Sequence, residues 1–282
     1  MPEICFLCGT KPNQIPQLVG DIQILTCKKC EIAFQKQSAC NPLEYYKSNK
    51  YYEAWWKDKE AEWAGVTRIK EMTANWVLDQ MKDVLKPGAK IFEVGCAFGH
   101  FLKAAKKRGY QVSGVEISEA CQEITDEGIN IYHKRLEDLN LEEGSFDAVV
   151  MLDVIEHFED PDFALRKIKQ ILNKKHGIIA LITPNYESLT RKILRSAWWH
   201  FKQEHLYYFS KKGLLKLFQN YGFEVINLKR AVKGTSLSYI SSCSERYRNL
   251  PSFLNVSLRK LPFSSVPFLV SSDLFCIAKV MR

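Results

Sequence analysis

The strongest constraint on this chain is a regular alternation of short apolar runs with helix-length amphipathic segments, which begins after the turn signal Lys86-Pro87-Gly88. Such runs predict strands, and strands that alternate with helices form a mainly parallel sheet covered on both faces. Strands are predicted at residues 90–95, 111–117, 146–152, 177–183, 223–228 and 274–280. Helices are predicted at residues 100–108 and 119–127, after Asp160-Pro161, and between Ser210 and Gly222. We expect an α/β protein with a doubly wound sheet.

Length and composition place the chain among folded enzymes and binding modules. Its 282 residues can bury a large core, and 46% hydrophobic with 26% charged residues exclude a disordered, collagen-like or coiled-coil chain. Nine cysteines are too few, at this length, for a secreted disulfide scaffold. The segment Met1–Cys5 lacks the features of a signal peptide, and no run of about 18 apolar residues is present to span a bilayer. We expect a cytoplasmic protein without a transmembrane segment.

Changes in composition divide the chain into three units. Residues 1–40 are rich in cysteine and turn residues, residues 41–85 are aromatic and helical in pattern, and residues 86–282 carry the strand and helix alternation. They are interpreted as a small metal-binding unit, a helical linker or cap, and an α/β domain. Within the last, residues 233–270 are predicted to be a helical insertion before the final strand; the alternative is a basic amphipathic surface that rests on a membrane or a partner.

Four cysteines have the spacing of a structural zinc site. Cys5-x2-Cys8 and Cys27-x2-Cys30 each place two thiolates on one turn, and two such turns close a tetrahedron around Zn²⁺. The alternative is a set of free or disulfide-bonded cysteines, and Cys40 is interpreted as a bystander. Because four protein ligands leave no open position, the zinc is expected to hold structure and perform no chemistry.

A second motif predicts a nucleoside cofactor. The strand at residues 90–94 runs into Gly95-Cys96-Ala97-Phe98-Gly99 and then into a helix, and small residues there let the backbone approach a ligand closely. The next strand ends at Glu116, where a carboxylate can accept hydrogen bonds from both hydroxyls of a ribose. A dinucleotide motif requires a third glycine where this chain has His100, which argues against NAD.

The segment from Glu93 to Gly99 resembles motif I of class I S-adenosylmethionine-dependent methyltransferases, with Ala97 in place of the middle glycine. Several later segments resemble the ubiquinone-biosynthesis-type subgroup, namely residues 144–150, 152–157, 160–161, 183–185 and 204–210. Together with the cysteine unit, the chain is similar to zinc-ribbon methyltransferases that modify sugars, polysaccharides or natural products. The resemblance covers residues 1–230 and implies a Rossmann-like seven-stranded methyltransferase sheet with an N-terminal zinc-ribbon-like unit.

The resemblance also implies which residues bind S-adenosylmethionine. Around the methionine and ribose portions it places Glu93, Gly95, Cys96, Ala97 and Gly99. Around the ribose hydroxyls, the adenine and the sulfonium it places Glu116, Ile117, Leu136, Glu137, Leu152 and Asp153. Arg135 occupies a position where many relatives have aspartate.

Methyl transfer requires an aligned nucleophile and a base, and histidine is the natural base near neutral pH. The candidate catalytic residues are His205, Glu204 and His157, from the pairs Glu156-His157 and Glu204-His205. Alternatively, His157 caps the next segment and His205 packs in a loop. A divalent metal at Glu156 and His157 is left open by analogy with the quinone relatives, and His200 is a further candidate. The aromatic run at residues 198–201 predicts either a substrate wall or a hydrophobic lid.

The leading function is therefore S-adenosylmethionine-dependent methylation of a small molecule, and the expected acceptor is a sugar, a polysaccharide precursor or a natural-product or quinone-like metabolite. The alternatives are a nucleic-acid methyltransferase, which Leu152-Asp153-Val154-Ile155 disfavours because it lacks the N/D-P-P-Y pattern, and a non-catalytic scaffold. The net charge is +8, and residues 186–282 hold 16 Lys and Arg against 5 Asp and Glu. Because this surplus lies in the half that builds the acceptor pocket, we expect an anionic acceptor rather than nucleic acid.

Overall fold

A computed structural model describes residues 4–12, 15–36, 41–47, 60–118, 121, 128–241 and 265–281. The strands are β1 (Gln17–Val19), β2 (Ile22–Cys27), β3 (Ile32–Gln35), β4 (Lys90–Val94), β5 (Gln111–Val115), β6 (Asn130–Tyr132), β7 (Ala148–Leu152), β8 (Ile178–Thr183), β9 (Tyr207–Phe209), β10 (Phe223–Arg230), β11 (Lys233–Thr235), β12 (Phe268–Val270) and β13 (Leu274–Val280). The helices are α1 (Pro42–Lys47), α2 (Glu60–Met81), α3 (His100–Lys107), α4 (Pro161–Ile171), α5 (Leu189–Leu194) and α6 (Lys211–Asn220).

The main sheet has seven strands in the order β10-β13-β8-β7-β4-β5-β6. Its strands are parallel except β13, which runs antiparallel to both of its neighbours. The predicted fold class and all six predicted strands are confirmed. β6 was not predicted, and the helix predicted at residues 119–127 lies outside the described residues except for Cys121.

The helices cover both faces of this sheet because the apolar residues of each strand alternate between the faces. On one face, α4 and α6 pack against side chains such as Phe92 and Met151, and on the other, α2 and α3 pack against Ile91 and Val150. The helix starts follow their capping residues. Asp160 accepts from the Phe163 N–H at the start of α4, and Ser210 accepts from the Gly213 N–H at the start of α6.

A second sheet, in the order β1-β2-β3-β9, joins the cysteine unit to the α/β part of the chain. Its last strand, β9, lies between β8 and α6 in sequence, and it pairs antiparallel with β3 at Ile32–Phe209 and Phe34–Tyr207. The cysteine unit therefore completes its sheet with a strand from the α/β domain. The division at residues 40 and 85 stays a prediction.

The expected helical linker contains α1 and α2, and residues 48–59 lie outside the described part of the chain. In the segment 233–270 the helical prediction is wrong for the two ends, where β11 and β12 form an antiparallel pair. Residues 237–241 are helical and residues 242–264 are not described. The ends are strands because β11 packs along α2, where the Gly234 N–H donates to Thr73 Oγ1. Among the described residues, no helix is both long enough and apolar enough to cross a membrane.

Candidate active site

The loop after β4 has the backbone of a close-approach turn. Gly95, Ala97 and Gly99 all have left-handed φ angles, +69°, +43° and +68°. A Cβ added to Gly95 would lie 2.7 Å from Val154 Cγ2, so this position requires glycine for space as well as for conformation. Ala97 adopts a conformation that costs an L-residue about 1–2 kcal/mol, and the strain lies where the predicted cofactor would bind.

Glu116 follows β5 and holds this loop from the side. Its two carboxylate oxygens accept hydrogen bonds from the backbone N–H groups of Ala97 and Ser118, at 2.8 and 2.9 Å. Burial raises the pKa of Glu116, although these backbone donors oppose the shift. A carboxylate has about four acceptor positions, so Glu116 can accept from further donors such as ribose hydroxyls.

Glu93 is buried in β4 beside this loop, and one of its oxygens, Oε2, has no hydrogen-bond partner among the described residues. Burial and the neighbouring Glu116 raise its pKa well above the usual value. Two adjacent buried acids are costly unless a ligand supplies donors or positive charge. The ammonium group and ribose hydroxyls of S-adenosylmethionine match these requirements, so the residues fit this cofactor.

The other predicted cofactor residues lie along the same edge of the sheet, at or after the carboxyl ends of β4, β5, β6 and β7. Cys96 is buried in the core, so only its backbone faces the loop. Leu136 is buried in a short 3₁₀ turn, and Glu137 there forms an ion pair with Arg135 at 3.4 Å. Ile117 and Leu152 are half-buried. Their contacts with a cofactor stay predictions.

Asp153 directly follows β7, has a φ of +58° and begins a chain of charged contacts. The Lys233 ammonium lies 2.6 Å from Asp153 and 3.0 Å from Asp273, and Asp273 lies 3.2 Å from His200 Nε2. Burial favours the protonated acids, but the Lys233 charge outweighs it and lowers the pKa of both aspartates. The two acids are therefore ionised at neutral pH.

The predicted catalytic residues converge near Asp153. One ligand-type atom from each of Glu156, His157 and His205 lies within 4.8 Å of the others. The two imidazole rings meet edge to face with centroids 4.7 Å apart. His157 Nδ1 lies 2.8 Å from the backbone oxygen of Glu204, and the Tyr46 hydroxyl lies 3.1 Å from the same nitrogen.

His205 is buried, and its Nδ1 has no hydrogen-bond partner in the described part of the chain. Burial lowers its pKa well below the usual value, and the nearby His157 lowers it further. A hydrogen bond from the ring to the His200 backbone acts in the opposite direction and raises the pKa. Because Nδ1 has no partner among the described residues, we assign the donor hydrogen of the neutral ring to Nε2. Nδ1 then presents a lone pair to the site.

Glu156 is fully buried between the two histidines and the sheet. Its Oε2 accepts from the Thr183 hydroxyl at 3.0 Å, and Oε1 has no partner among the residues described. Burial and the charge of Asp153 raise the pKa of Glu156 to about 8. Its carboxyl group therefore holds a proton at neutral pH.

Glu204 was predicted to take part in the chemistry through its side chain, but its contact with His157 is made by the backbone. Glu204 contacts His157 through its backbone oxygen, at 2.8 Å, so that contact does not involve its carboxylate.

Trp198 and Phe201 are buried in an aromatic cluster with Tyr208, whereas Trp199 is 37% exposed. This packing favours the lid interpretation for Trp198 and Phe201.

The four N-terminal cysteines come together as predicted. Their sulfur atoms all lie within 4.8 Å of one another, and the Sγ atoms of Cys8 and Cys27 are 3.6 Å apart. A Zn–S bond of about 2.3 Å sets ligand sulfurs about 3.8 Å apart in a tetrahedron, so the donor set fits Zn²⁺. Gly9 and Glu31, which follow the two pairs, both have left-handed φ angles, +66° and +55°. The second turn thus adopts the same conformation without a glycine.

Residues 68–228, more than half of the chain, match the family described as "Methyltransferase domain". The chain belongs to the class I S-adenosylmethionine-dependent methyltransferase family. The ubiquinone biosynthesis O-methyltransferase of Pseudomonas aeruginosa (strain LESB58) is 27% identical to it over 139 residues, which cover 46% of this methyltransferase and 58% of the relative. The protein of the same name from Pseudomonas fluorescens (strain Pf0-1) is 28% identical over 120 residues, 40% and 50% of the two chains. The match thus spans about half the length of these curated relatives.

Solved structures agree on the fold of this methyltransferase. The YcgJ protein from Bacillus subtilis superposes with a TM-score of 0.53 and 14% identity, over 74% of this chain and 98% of its own. An S-adenosylmethionine-dependent methyltransferase from Thermotoga maritima gives 0.52 and 21%, over 85% and 98%. At these identities the likeness concerns the fold alone.

Sequence reasoning missed three residues at the site of this methyltransferase: Gln35, Lys233 and Asp273. Lys233 and Asp273 lie 40 residues apart and belong to no motif. One signal was available for Asp273. It directly precedes β13, and an antiparallel strand begins at the edge where its parallel neighbours end, so Leu274 pairs with Thr183. Gln35 carries no sequence signal, because the backbone oxygens that its side-chain amide contacts, in residues 202, 203 and 205, lie far along the chain.

Proposed function

We propose that this methyltransferase transfers a methyl group from S-adenosylmethionine to a hydroxyl oxygen of a small-molecule acceptor, with His205 as the base. The observation that carries the proposal is the buried Nδ1 of His205, which has no partner among the described residues. Its lowered pKa keeps the ring neutral near pH 7, so Nδ1 is able to accept a proton.

The cofactor supplies an electrophilic methyl group on a positively charged sulfur. The cofactor, held by the loop at residues 95–99 and by Glu116, would supply the methyl group and leave as a neutral thioether, and His205 Nδ1 would take the proton of the acceptor hydroxyl. The proton and charges therefore balance without an added oxidant or reductant. Burial of His205 and Glu156, with His157 half-buried beside them, limits the access of water to the point of proton transfer, which supports this role.

His157 and Glu204 are proposed to support the base. The His157 ring holds the Glu204 backbone at 2.8 Å and stands edge to face against the His205 ring. Asp153 is proposed to place negative charge beside the cofactor sulfonium, and Glu93 to accept a hydrogen bond from the cofactor ammonium through Oε2. The predicted adenine contacts of Ile117, Leu136 and Glu137 belong to the same proposal.

For the acceptor, we propose a neutral hydroxylated metabolite of the sugar or quinone-precursor class. The names of the curated relatives support O-methylation. On the acceptor side, Asp153 and Asp273 surround the Lys233 ammonium and neutralise its charge. The anionic acceptor expected from the basic surplus of residues 186–282 is the second candidate, and nucleic acid is the third.

A structural Zn²⁺ on Cys5, Cys8, Cys27 and Cys30, and a reducing cytoplasmic setting for these thiols, complete the proposal. The short contact of Cys8 with Cys27 supports the metal. Hydrogen bonds from Thr10 lower the pKa of Cys8 to about 6 despite the opposing effect of burial, which favours a thiolate there.

The test uses methyl-labelled cofactor and a panel of catechols, nucleotide-linked sugars and RNA, with mass spectrometry to detect a product that gains one methyl group. His205→Gln is expected to lower kcat about 10²–10⁴-fold while the affinity for S-adenosylhomocysteine stays unchanged. His176→Gln, an exposed histidine, is the control. Wild-type kcat in His205→Gln would overturn the base assignment. Activity that a chelator abolishes and Mg²⁺ restores would instead assign Glu156, His157 and His205 to a divalent cation.

A further inference from the structure

The turn that carries Glu204 and His205 is held from an unexpected direction. Gln35, the last residue of β3, belongs to the cysteine unit and is 1% exposed. Its side-chain amide donates to three backbone oxygens of this turn: Lys202 O at 2.8 Å, Gln203 O at 3.1 Å and His205 O at 2.8 Å. A single side chain from the metal-binding unit thus gathers the carbonyl groups of the turn.

The backbone of Gln35 extends the same connection. Its N–H donates to Leu206 O at 3.0 Å, and β3 continues the pairing into β9. On its other side, the turn is tied to the loop after β7, because the Leu206 N–H donates to Glu156 O at 2.8 Å. The candidate base therefore lies in a short segment between two fixed supports.

The path from the cysteines to this turn is short and rigid. β3 begins two residues after Cys30, and Cys27 pairs with Ile32 across the β2–β3 hairpin. From Ile32 to Gln35 the strand is buried at every position. A change in the cysteine turns is therefore transmitted to Gln35 by a hydrogen-bonded strand.

We infer that Gln35 is a positioning residue for His205, and that the cysteine unit is through it a working part of the active site. This inference rests on the proposed function for the role of His205. The placement of the turn is separate from that role, so it is measurable without an acceptor. Glutamine suits the task because its neutral amide has two N–H bonds, one of them shared between two of the three oxygens, whereas a carboxylate would repel these oxygens.

The experiment uses the full chain, loaded with zinc and S-adenosylhomocysteine, as wild type, Gln35→Met and Gln23→Met. Gln23 is exposed on β2 of the same sheet, so it provides the same chemical change away from the turn. In Gln35→Met, amide hydrogen exchange at His205 and Leu206 is expected to accelerate about tenfold or more. The ¹⁵N ring signals of His205 are expected to shift, and those of His176 to stay in place.

Unchanged exchange at residues 205–206 and unchanged His205 signals, in a folded Gln35→Met protein with full zinc content, would overturn the inference. If Gln35→Met fails to fold, Gln35→Asn is the second variant, because it keeps the amide but shortens its reach. Hydrogen exchange at residues 205–206 and the His205 signals are then expected to change in the same direction as predicted for Gln35→Met, but by less. Once an acceptor is known, Gln35→Met is expected to lower kcat about 10–100-fold and to add nothing in the His205→Gln background. If His205→Gln keeps full activity while Gln35→Met still shifts the turn, the proposed function fails and the positioning role stands.

Discussion

The Lys233 ammonium lies 2.6 Å from the carboxylate of Asp153. This ion pair joins the first residue of β11 to the residue that follows β7. Lys233→Met is expected to lower the free energy of unfolding by about 1–3 kcal/mol, because it leaves two partly or fully buried carboxylates without their cation. The cost is below that of a fully buried pair, since the Asp153 side chain is 32% exposed. Urea unfolding measures it, with the exposed Lys279→Met as control.

The same variant should reverse the pH dependence of stability. In the wild type, Lys233 lowers the pKa of Asp153 and Asp273 against the effect of burial, so their contribution is present above about pH 4 and is lost as the pH falls through the folded pKa values. Without the ammonium, burial raises the pKa of Asp153, while Asp273 keeps His200 as a partner, so through Asp153 the variant should gain stability as the pH falls from 8 to 5. A variant that loses stability over this range would contradict the assignment.

Glu116→Ala is expected to weaken cofactor binding by about 10–150-fold, because it removes charge-assisted hydrogen bonds to the ribose hydroxyls. It also removes the acceptor for the Ala97 and Ser118 N–H groups that shape the loop. Calorimetry with S-adenosylhomocysteine measures the change, and the exposed Glu142→Gln serves as control. Wild-type affinity in Glu116→Ala would remove the ribose assignment.

Cys27→Ser is expected to reduce the zinc content per chain and to lower the Tm, since the hydroxyl is a weaker ligand than the thiolate. Metal analysis of the purified protein and thermal unfolding measure the two effects. Cys276→Ala alters a buried cysteine of β13 that is remote in sequence from the four, and it should keep the metal. Full zinc occupancy in Cys27→Ser would count against the four-thiolate site.

Gly213→Ala tests how tightly α6 packs against the second cysteine turn. An added Cβ would lie 2.7 Å from Ile32 Cγ1 and 3.1 Å from Cys30 O, so about 1–3 kcal/mol of destabilisation is expected. Gly65→Ala in α2 is the matched control, because a Cβ there meets none of the described residues within 4 Å and alanine favours a helix by about 1 kcal/mol. Gly65→Ala should leave the free energy of unfolding unchanged or raise it. A Gly213→Ala protein more stable than the wild type would contradict the close packing of α6 on the cysteine turn.

The sequence predicted the parts of the fold that have a local signal. Continuous apolar runs indicated β7 and β8 because both faces of these strands are buried, and the cysteine spacing and the Gly95–Gly99 loop indicated their turns. The strands β6 and β9 were missed because three residues carry too little periodicity.

In the candidate site, too, the sequence predicted the residues that stand in a local motif and missed those that meet only in the folded chain. His157 and His205 were found because each stands in a pair that resembles a family motif, whereas Lys233 and Asp273 meet only through the tertiary fold. Ala97 and Asp153 were placed correctly in loops, but their left-handed φ angles depend on contacts that no local pattern encodes.

The pairing of β3 with β9 has a consequence for how the chain acquires its structure. Gln35 and the His205 oxygen it holds are 170 residues apart in sequence. Contacts of such high sequence separation form late, because the entropy of closing a long loop must be offset before they contribute. During synthesis the cysteine hairpin emerges with one edge of its sheet unpaired, and it stays so until β9 has been made. The turn that carries Glu204 and His205 is thus expected to order in the same late step that closes this edge.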